Sequence, residues 1–189
     1  TQDQAAALQQ ELSDMNAKVF VAMRYWHPLA SAVVRDVKNY NPDHVFLLPL
    51  YPQFSTTTVF SSLENWDTQA RAAGLRVPTQ RLCCYPVNDG FITASAKNIR
   101  AVLQNAPVKT RLLFSAHGLP EKVIAGGDPY QYQCEKTAEA IVQKLALPGL
   151  DWQICYQSRV GPLKWIGPST EEALKNAAAD GVGVAIYPH

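Results

Sequence analysis

The sequence has no long apolar run. Its longest ones, such as Val45-Phe46-Leu47-Leu48-Pro49-Leu50, fall well short of the roughly 20 residues needed to cross a bilayer. No segment is expected to span a membrane, while peripheral attachment to a membrane surface, the inner membrane included, through a small apolar lip around a cleft stays open. An excess of one charge is also missing. Seventeen basic against sixteen acidic side chains leave a net charge of +1, with no block of like charge dense enough to follow a phosphate backbone. Nucleic acid is therefore not an expected partner. Neither G-x-G-x-x-G nor G-x-x-x-x-G-K-[ST] occurs, so neither a dinucleotide nor a nucleoside triphosphate is signalled. Cysteine is sparse. Cys83, Cys84, Cys134 and Cys155 form neither a C-x-x-C pair nor a secreted disulfide framework, which predicts reduced thiols in a cytoplasmic protein. Neighbours on a strand point to opposite faces, so Cys83 and Cys84 are expected to be buried structural thiols rather than a metal site. The opening Thr1-Gln2-Asp3-Gln4 has no initiator Met or signal-peptide pattern, and the last residues read as a strand that stops at its exit. The chain is expected to be a piece of something longer.

What is present is a globular composition, 47% hydrophobic and 17% charged, enough to bury a sizeable core as one domain or as parts of two. Short apolar, β-branched runs at 19–23, 45–50, 76–84, 111–115, 152–156 and 182–187 suit strands buried on both faces. Between them, 29–39, 59–73, 89–104, 129–145 and 170–180 carry apolar residues three and four apart, as in Cys134, Ala138, Ile141, Val142 and Leu145. Asp128 before Pro129 predicts an N-cap followed by proline at the first helical position. Ser169-Thr170-Glu171-Glu172 has capping-box spacing, and Gly181 suits a left-handed stop. Strict alternation of strand and helix predicts an α/β fold of parallel βαβ units, an open sheet with helices on both faces. The turn-like stretch from Tyr85 to Gly90 marks a domain boundary, giving 1–86 and 87–189 as parts of two α/β domains.

In open parallel sheets, ligands bind beyond the carboxyl ends of the strands. Arg24-Tyr25-Trp26-His27-Pro28, the loop from Tyr51 to Thr58, His117-Gly118-Leu119-Pro120 and the run from Gln157 to Pro162 all fall at such ends. Any one of them could be an ordinary polar loop. Together they mix bulky aromatics with a few hydrogen-bonding groups, a lining that suits a flat, largely apolar ligand with polar edges. Of the four histidines, His117 directly follows an apolar strand and precedes a glycine. Taken alone, such a histidine is more often structural than catalytic. His27 and His44 read as capping or surface residues, and His189 ends the chain and supports no inference. Ser115 lies two residues from His117, but the G-x-S-x-G elbow is absent and acyl transfer is disfavoured.

The strings Leu113-Phe114-Ser115-Ala116-His117-Gly118-Leu119-Pro120, Gly127-Asp128-Pro129-Tyr130, Tyr156-Gln157-Ser158-Arg159-Val160-Gly161-Pro162 and Trp165-Ile166-Gly167-Pro168 resemble, in order and spacing, the signature of the ferrochelatases. So do Met23-Arg24-Tyr25-Trp26-His27-Pro28 and the run from Leu50 to Thr58, which extends the match over essentially the whole chain. The resemblance implies two similar four-stranded, Rossmann-like, chelatase-type parallel sheets flanked by helices, each expected to be incomplete in this chain, facing each other across a porphyrin cleft. It implies insertion of ferrous iron into protoporphyrin IX to give protoheme, with porphyrin and iron as substrates and no tightly bound cofactor. His117 would be the proton acceptor or iron ligand. Arg24, Tyr25, Tyr51, Leu119, Ser158, Arg159, Val160 and Trp165 would line or approach the macrocycle, with Gln157 beside them.

Physical chemistry supports such a set. Metal insertion removes two pyrrole protons, which calls for a base of near-neutral pKa, and histidine is the side chain that has one. Bending the ring exposes its nitrogen lone pairs, and an apolar clamp such as Leu119, Val160 and Trp165 can supply that strain from binding energy. Arg159 could meet a propionate. Two departures from the family pattern bear on this chain. A glutamate that the resemblance gives as the second essential group belongs to a motif beyond His189, and the segment supplying much of the porphyrin lip would precede Thr1, so the chain as given is expected to have little or no activity. One ligand of the iron–sulfur cluster that some members carry falls at Thr56, so no such cluster is expected. A related chelatase for another metal or for coproporphyrin, and a tetrapyrrole- or metal-binding module without turnover, remain the alternatives.

Overall fold

The alternation of strand and helix is realised as two separate parallel sheets in a computed structural model that describes residues 1–106 and 109–189. The chain divides into two units, Thr1–Tyr51 with Thr56–Cys83, and Pro52–Ser55 with Cys84–His189.

The first unit holds α1 (Gln2–Glu11), α2 (Ala30–Tyr40), β1 (Val45–Leu47), α3 (Ser61–Ala73) and β2 (Thr79–Arg81), with Val45 opposite Thr79 in a parallel pair. Its core follows from sequence period. Ala30, Val33, Val34 and Val37 form one stripe of α2 and close on Trp66 of α3, with Val45 and Leu47 packed against them. Only one face of β1 is covered. Phe46 is 59% exposed, so the expectation of burial on both faces fails in this unit. A wide π-turn, Thr56–Phe60, leads into α3 and carries the helical backbone three residues further back than the expected start at Val59. The strand expected at 19–23 does not form a ladder. Val19 N–H donates to Gln9 Oε1 at 2.8 Å and Met23 N–H to Pro28 O at 2.8 Å, so side chain and loop take the donors a neighbouring strand would use. Conversely, α1 has no buried residue and no apolar stripe to betray it.

The second unit holds α4 (Asp89–Gln104), β3 (Thr110–His117), α5 (Glu121–Ala125), α6 (Tyr130–Leu145), β4 (Trp152–Gln157), α7 (Thr170–Ala179) and β5 (Gly183–Pro188). The strand order is β4-β3-β5, all parallel. Here the central strand β3 is buried on both faces, as its unbroken apolar run predicts. Leu112 and Phe114 pack with Ile92, Ala96 and Ile99 of α4 and Ala138, Ile141 and Leu145 of α6, whereas Leu113 clusters on the other side with Cys155 of β4 and Ala173 of α7. Phe114 has no exposed surface and meets the rings of Trp152 and Tyr187 edge-on at 5.9 and 6.0 Å. Each such pair adds about 0.5–1.5 kcal/mol to the burial itself.

The local punctuation is largely as expected. Ser169 and Glu172 make the reciprocal capping box, and Gly181 takes φ +65° after α7. Pro129 occupies the N-cap position of α6 rather than its first turn, and Asp128 Oδ1 accepts from Tyr130 N–H at 3.0 Å. Cys134 and Cys155 are buried, but Cys83 is exposed, against expectation. β2 ends at Arg81, so the alternation that would have buried one of Cys83 and Cys84 on each face has already stopped. Among the described residues no helix is long and apolar enough to cross a membrane.

Candidate active site

β3 ends on His117, opposite Gln157, the last residue of β4. The two strand exits are tied together at once, because Gly118 N–H donates to Gln157 O at 2.8 Å. A Cβ on Gly118 would lie 3.0 Å from that same oxygen, 3.3 Å from Arg159 Cγ and 3.5 Å from Trp165 Cε3. The missing side chain therefore lets the 157–165 loop close onto the turn that follows His117. Further along, Ile166 N–H donates to Leu119 O at 3.0 Å and Glu121 N–H to Lys164 O at 2.9 Å, around an antiparallel bridge between Pro120 and Trp165. The result is one built edge at the carboxyl ends of the sheet, where a parallel sheet offers its ligand crevice.

His117, Gln157, Ser158, Arg159 and Val160 are exposed on this edge, and Trp165 is half-buried. Trp165 Nε1 is buried without a hydrogen-bond partner among the described residues. Ser158 sits at φ +63°, in the left-handed region that a non-glycine residue seldom occupies. Arg159 Nη1 lies 3.6 Å from Glu172 Oε2. Leu119 is placed differently from its neighbours in sequence, buried among Ala116, Tyr130, Cys134, Tyr156 and Ile166. The remaining expected site residues belong to the first unit. Arg24 donates from Nε to Ser61 Oγ at 2.9 Å and lies 4.7 Å over the ring of Tyr25, while Tyr25 and Tyr51 are exposed.

Burial pushes the Tyr130 and Tyr156 hydroxyls well above their ordinary values and the Cys134 thiol up to about 12, so all three stay neutral. Ser115 Oγ is engaged with Thr170 Oγ1 at 3.1 Å, which directs it away from acyl-transfer chemistry with His117. Among the described residues no group of three His, Cys, Asp or Glu side chains could hold a metal ion.

Sequence reasoning missed the use of Pro52–Ser55. Gln53 Nε2 donates to Thr137 Oγ1 at 3.0 Å, Phe54 N–H to Gln133 Oε1 at 2.7 Å, and Ser55 Oγ to Asp128 Oδ2 at 2.9 Å. Gln53 and Ser55 are buried, so these polar residues anchor the segment along α6 rather than facing a ligand. The signal available was the Gln133, Thr137 spacing of four on a helix face otherwise apolar, which offers two polar partners one turn apart.

A parallel sheet with helices on both faces and its polar edge at the strand exits places the second unit among the open α/β folds. A solved structure described as SirB from Bacillus subtilis with Fe3+ superposes with a TM-score of 0.64, covering 100% of this chain and 70% of that one. At 15% identity that likeness is one of fold. The family follows from sequence: the ferrochelatase profile matches residues 1–189, and the chain belongs to the ferrochelatase family. It is 50% identical to the ferrochelatase of Caulobacter vibrioides strain NA1000 over 100% of this chain and 55% of that protein. It is 49% identical to that of the Wolbachia of Drosophila simulans, covering 100% of this chain and 61% of the relative. The Phenylobacterium zucineum protein is 46% identical, over 100% and 55% respectively. The chain thus spans little more than half the length of the curated relatives it matches.

Proposed function

We propose that the protein carrying this chain is a lyase that inserts ferrous iron into protoporphyrin IX, with His117 as the acceptor of pyrrole protons. The observation that carries the reading is the exposed His117 at the exit of the central strand, with the 157–165 loop closed onto Gly118 beside it, in a chain of the ferrochelatase family. The free porphyrin gives up two N–H protons while Fe2+ forms bonds to the four ring nitrogens, so the balanced reaction releases two protons per heme. His117 takes protons on an imidazole nitrogen and passes them to water, to which its exposure gives access. Val160 and Trp165 present apolar surface for the macrocycle rim, and Arg159 meets a carboxylate side arm. Leu119 supports the turn from beneath. Iron and porphyrin are the substrates, and no resident cofactor is invoked.

The test extends the chain to the full length of its relatives and follows metalloporphyrin formation by absorbance under anaerobic conditions. His117→Ala is expected to abolish insertion and leave the porphyrin dissociation constant within a few-fold of the parent. Retention of parental turnover by that variant would remove His117 from the chemistry. Porphyrin binding without any turnover in the parent would make the protein a binding module, and faster insertion of cobalt, or into coproporphyrin, would redirect the substrate assignment.

A further inference from the structure

We infer that Glu172 is a positioning residue that aims Arg159 at a carboxylate of the substrate; the inference rests on the reading of the site proposed above.

Glu172 is itself fixed. Its Oε2 accepts from Ser169 N–H at 2.7 Å while its own N–H donates to Ser169 Oγ at 3.1 Å, so the capping box ties one carboxylate oxygen to the start of α7. The same Oε2 faces Arg159 Nη1 at 3.6 Å. The Arg159 stem runs over the turn that follows His117, its Cγ 3.3 Å from the place where Gly118 would carry a Cβ, so the glycine leaves room for it there. The stem thus lies along the backbone next to the proposed base, and the guanidinium faces a carboxylate tied to the start of α7.

One contact at 3.6 Å is longer than a hydrogen bond, so it orients the head without consuming its donors. An arginine carries five N–H groups in a planar fork, and those pointing away from Glu172 stay available for a bidentate carboxylate. The Arg159 side chain keeps 33% of its surface exposed, enough for a ligand to reach it. A long side chain loses much rotamer freedom when a ligand orders it, and holding it beforehand lowers that cost. An unrestrained arginine on a loop would bind the same group more weakly. The ligand class is a planar tetrapyrrole bearing free carboxylate arms, and the carboxylate is the part recognised.

The test uses the full-length protein with Glu172→Gln, Arg159→Ala and the double variant. Gln keeps an acceptor oxygen for Ser169 N–H while it removes the charge and puts an NH2 in place of the other oxygen. Glu172→Gln is expected to raise KM for a porphyrin dicarboxylic acid about two- to five-fold, the range open to an exposed ion pair, with kcat unchanged within a factor of about two. The rise should vanish with the porphyrin dimethyl ester and in the Arg159→Ala background, whereas the small fall in melting temperature from losing a carboxylate charge at the start of α7 should be the same with and without Arg159. A purely structural role would move stability, kcat and the ester equally. An unchanged or lower KM for the diacid, or an equal rise without Arg159, overturns the inference while parental turnover leaves the proposed function standing. Absence of parental turnover would instead strike the proposed function itself.

Discussion

Replacing Gly118 by alanine tests whether the turn after His117 is built by close approach. The new Cβ would sit 3.0 Å from Gln157 O, a backbone atom that already accepts from Gly118 N–H at 2.8 Å. It cannot be relieved by one side-chain rotation, because Arg159 Cγ and Trp165 Cε3 close the other directions at 3.3 and 3.5 Å. Forcing a methyl into such a place costs about 1–3 kcal/mol. Gly118 does not occupy the positive-φ region, so the alanine backbone is unstrained and stiffening the unfolded chain returns about 0.4–1 kcal/mol. The clash wins, and the net loss is about 1–2 kcal/mol. Urea unfolding of the full-length protein, followed by tryptophan fluorescence, should show a lower midpoint at unchanged slope, together with a raised porphyrin KM as Arg159 and Trp165 are displaced. Gly90→Ala is the control. There the Cβ meets only Asn88 Oδ1, at 3.3 Å, the atom that caps α4, so the gain in helix propensity of about 0.5–1 kcal/mol is offset by a slight shift of the cap and the change should be near neutral. If Gly118→Ala were as stable as Gly90→Ala and bound porphyrin normally, the close-approach account of the site would be refuted.

Ser158→Gly relieves an L residue of φ +63°, a conformation that costs it about 1–2 kcal/mol, against about 0.4–1 kcal/mol of added unfolded-state entropy. The variant should unfold at slightly higher urea and yet convert porphyrin less efficiently, since the strained position faces the site; lower stability in the same titration would count against the strain. Thr137→Val deletes the hydroxyl that accepts from Gln53 Nε2 and leaves a buried amide donor without its partner, a loss of about 1–3 kcal/mol. Protease nicking near Pro52–Ser55 should accelerate in that variant, and an unaltered digestion rate would mean that the segment is held elsewhere.

The parts legible in the sequence are those whose causes are local. α4 begins and ends where its periodicity predicts because Ile92, Ala96 and Ile99 form a stripe and Asn88 caps it, with Oδ1 accepting from Phe91 N–H at 3.2 Å. The capping box of α7 is complete within four residues, and β3 is read from an unbroken apolar run. What failed depends on partners far along the chain. The apolar run at 19–23 looks like a strand until the Gln9 side chain takes the donor of Val19. The polarity of Gln53 and Ser55 says that they need partners, not where those partners are, and Thr137 lies 84 residues from Gln53.

The site divides along the same line. That the loops after β3 and β4 meet is dictated by two parallel strands in register, His117 opposite Gln157, so the edge was readable once the alternation was seen. Which side chains of those loops face outward was not, because a loop has no period to assign faces: Leu119 turns into the core two residues after an exposed His117. Gly118 between them was the better clue. A glycine that needs no left-handed backbone earns no conformational advantage, so its smallness has to serve a neighbour. At this position the neighbours are the Gln157 carbonyl, the Arg159 stem and the Trp165 ring, and the contact that admits them brings these parts of the site to the residue that follows His117.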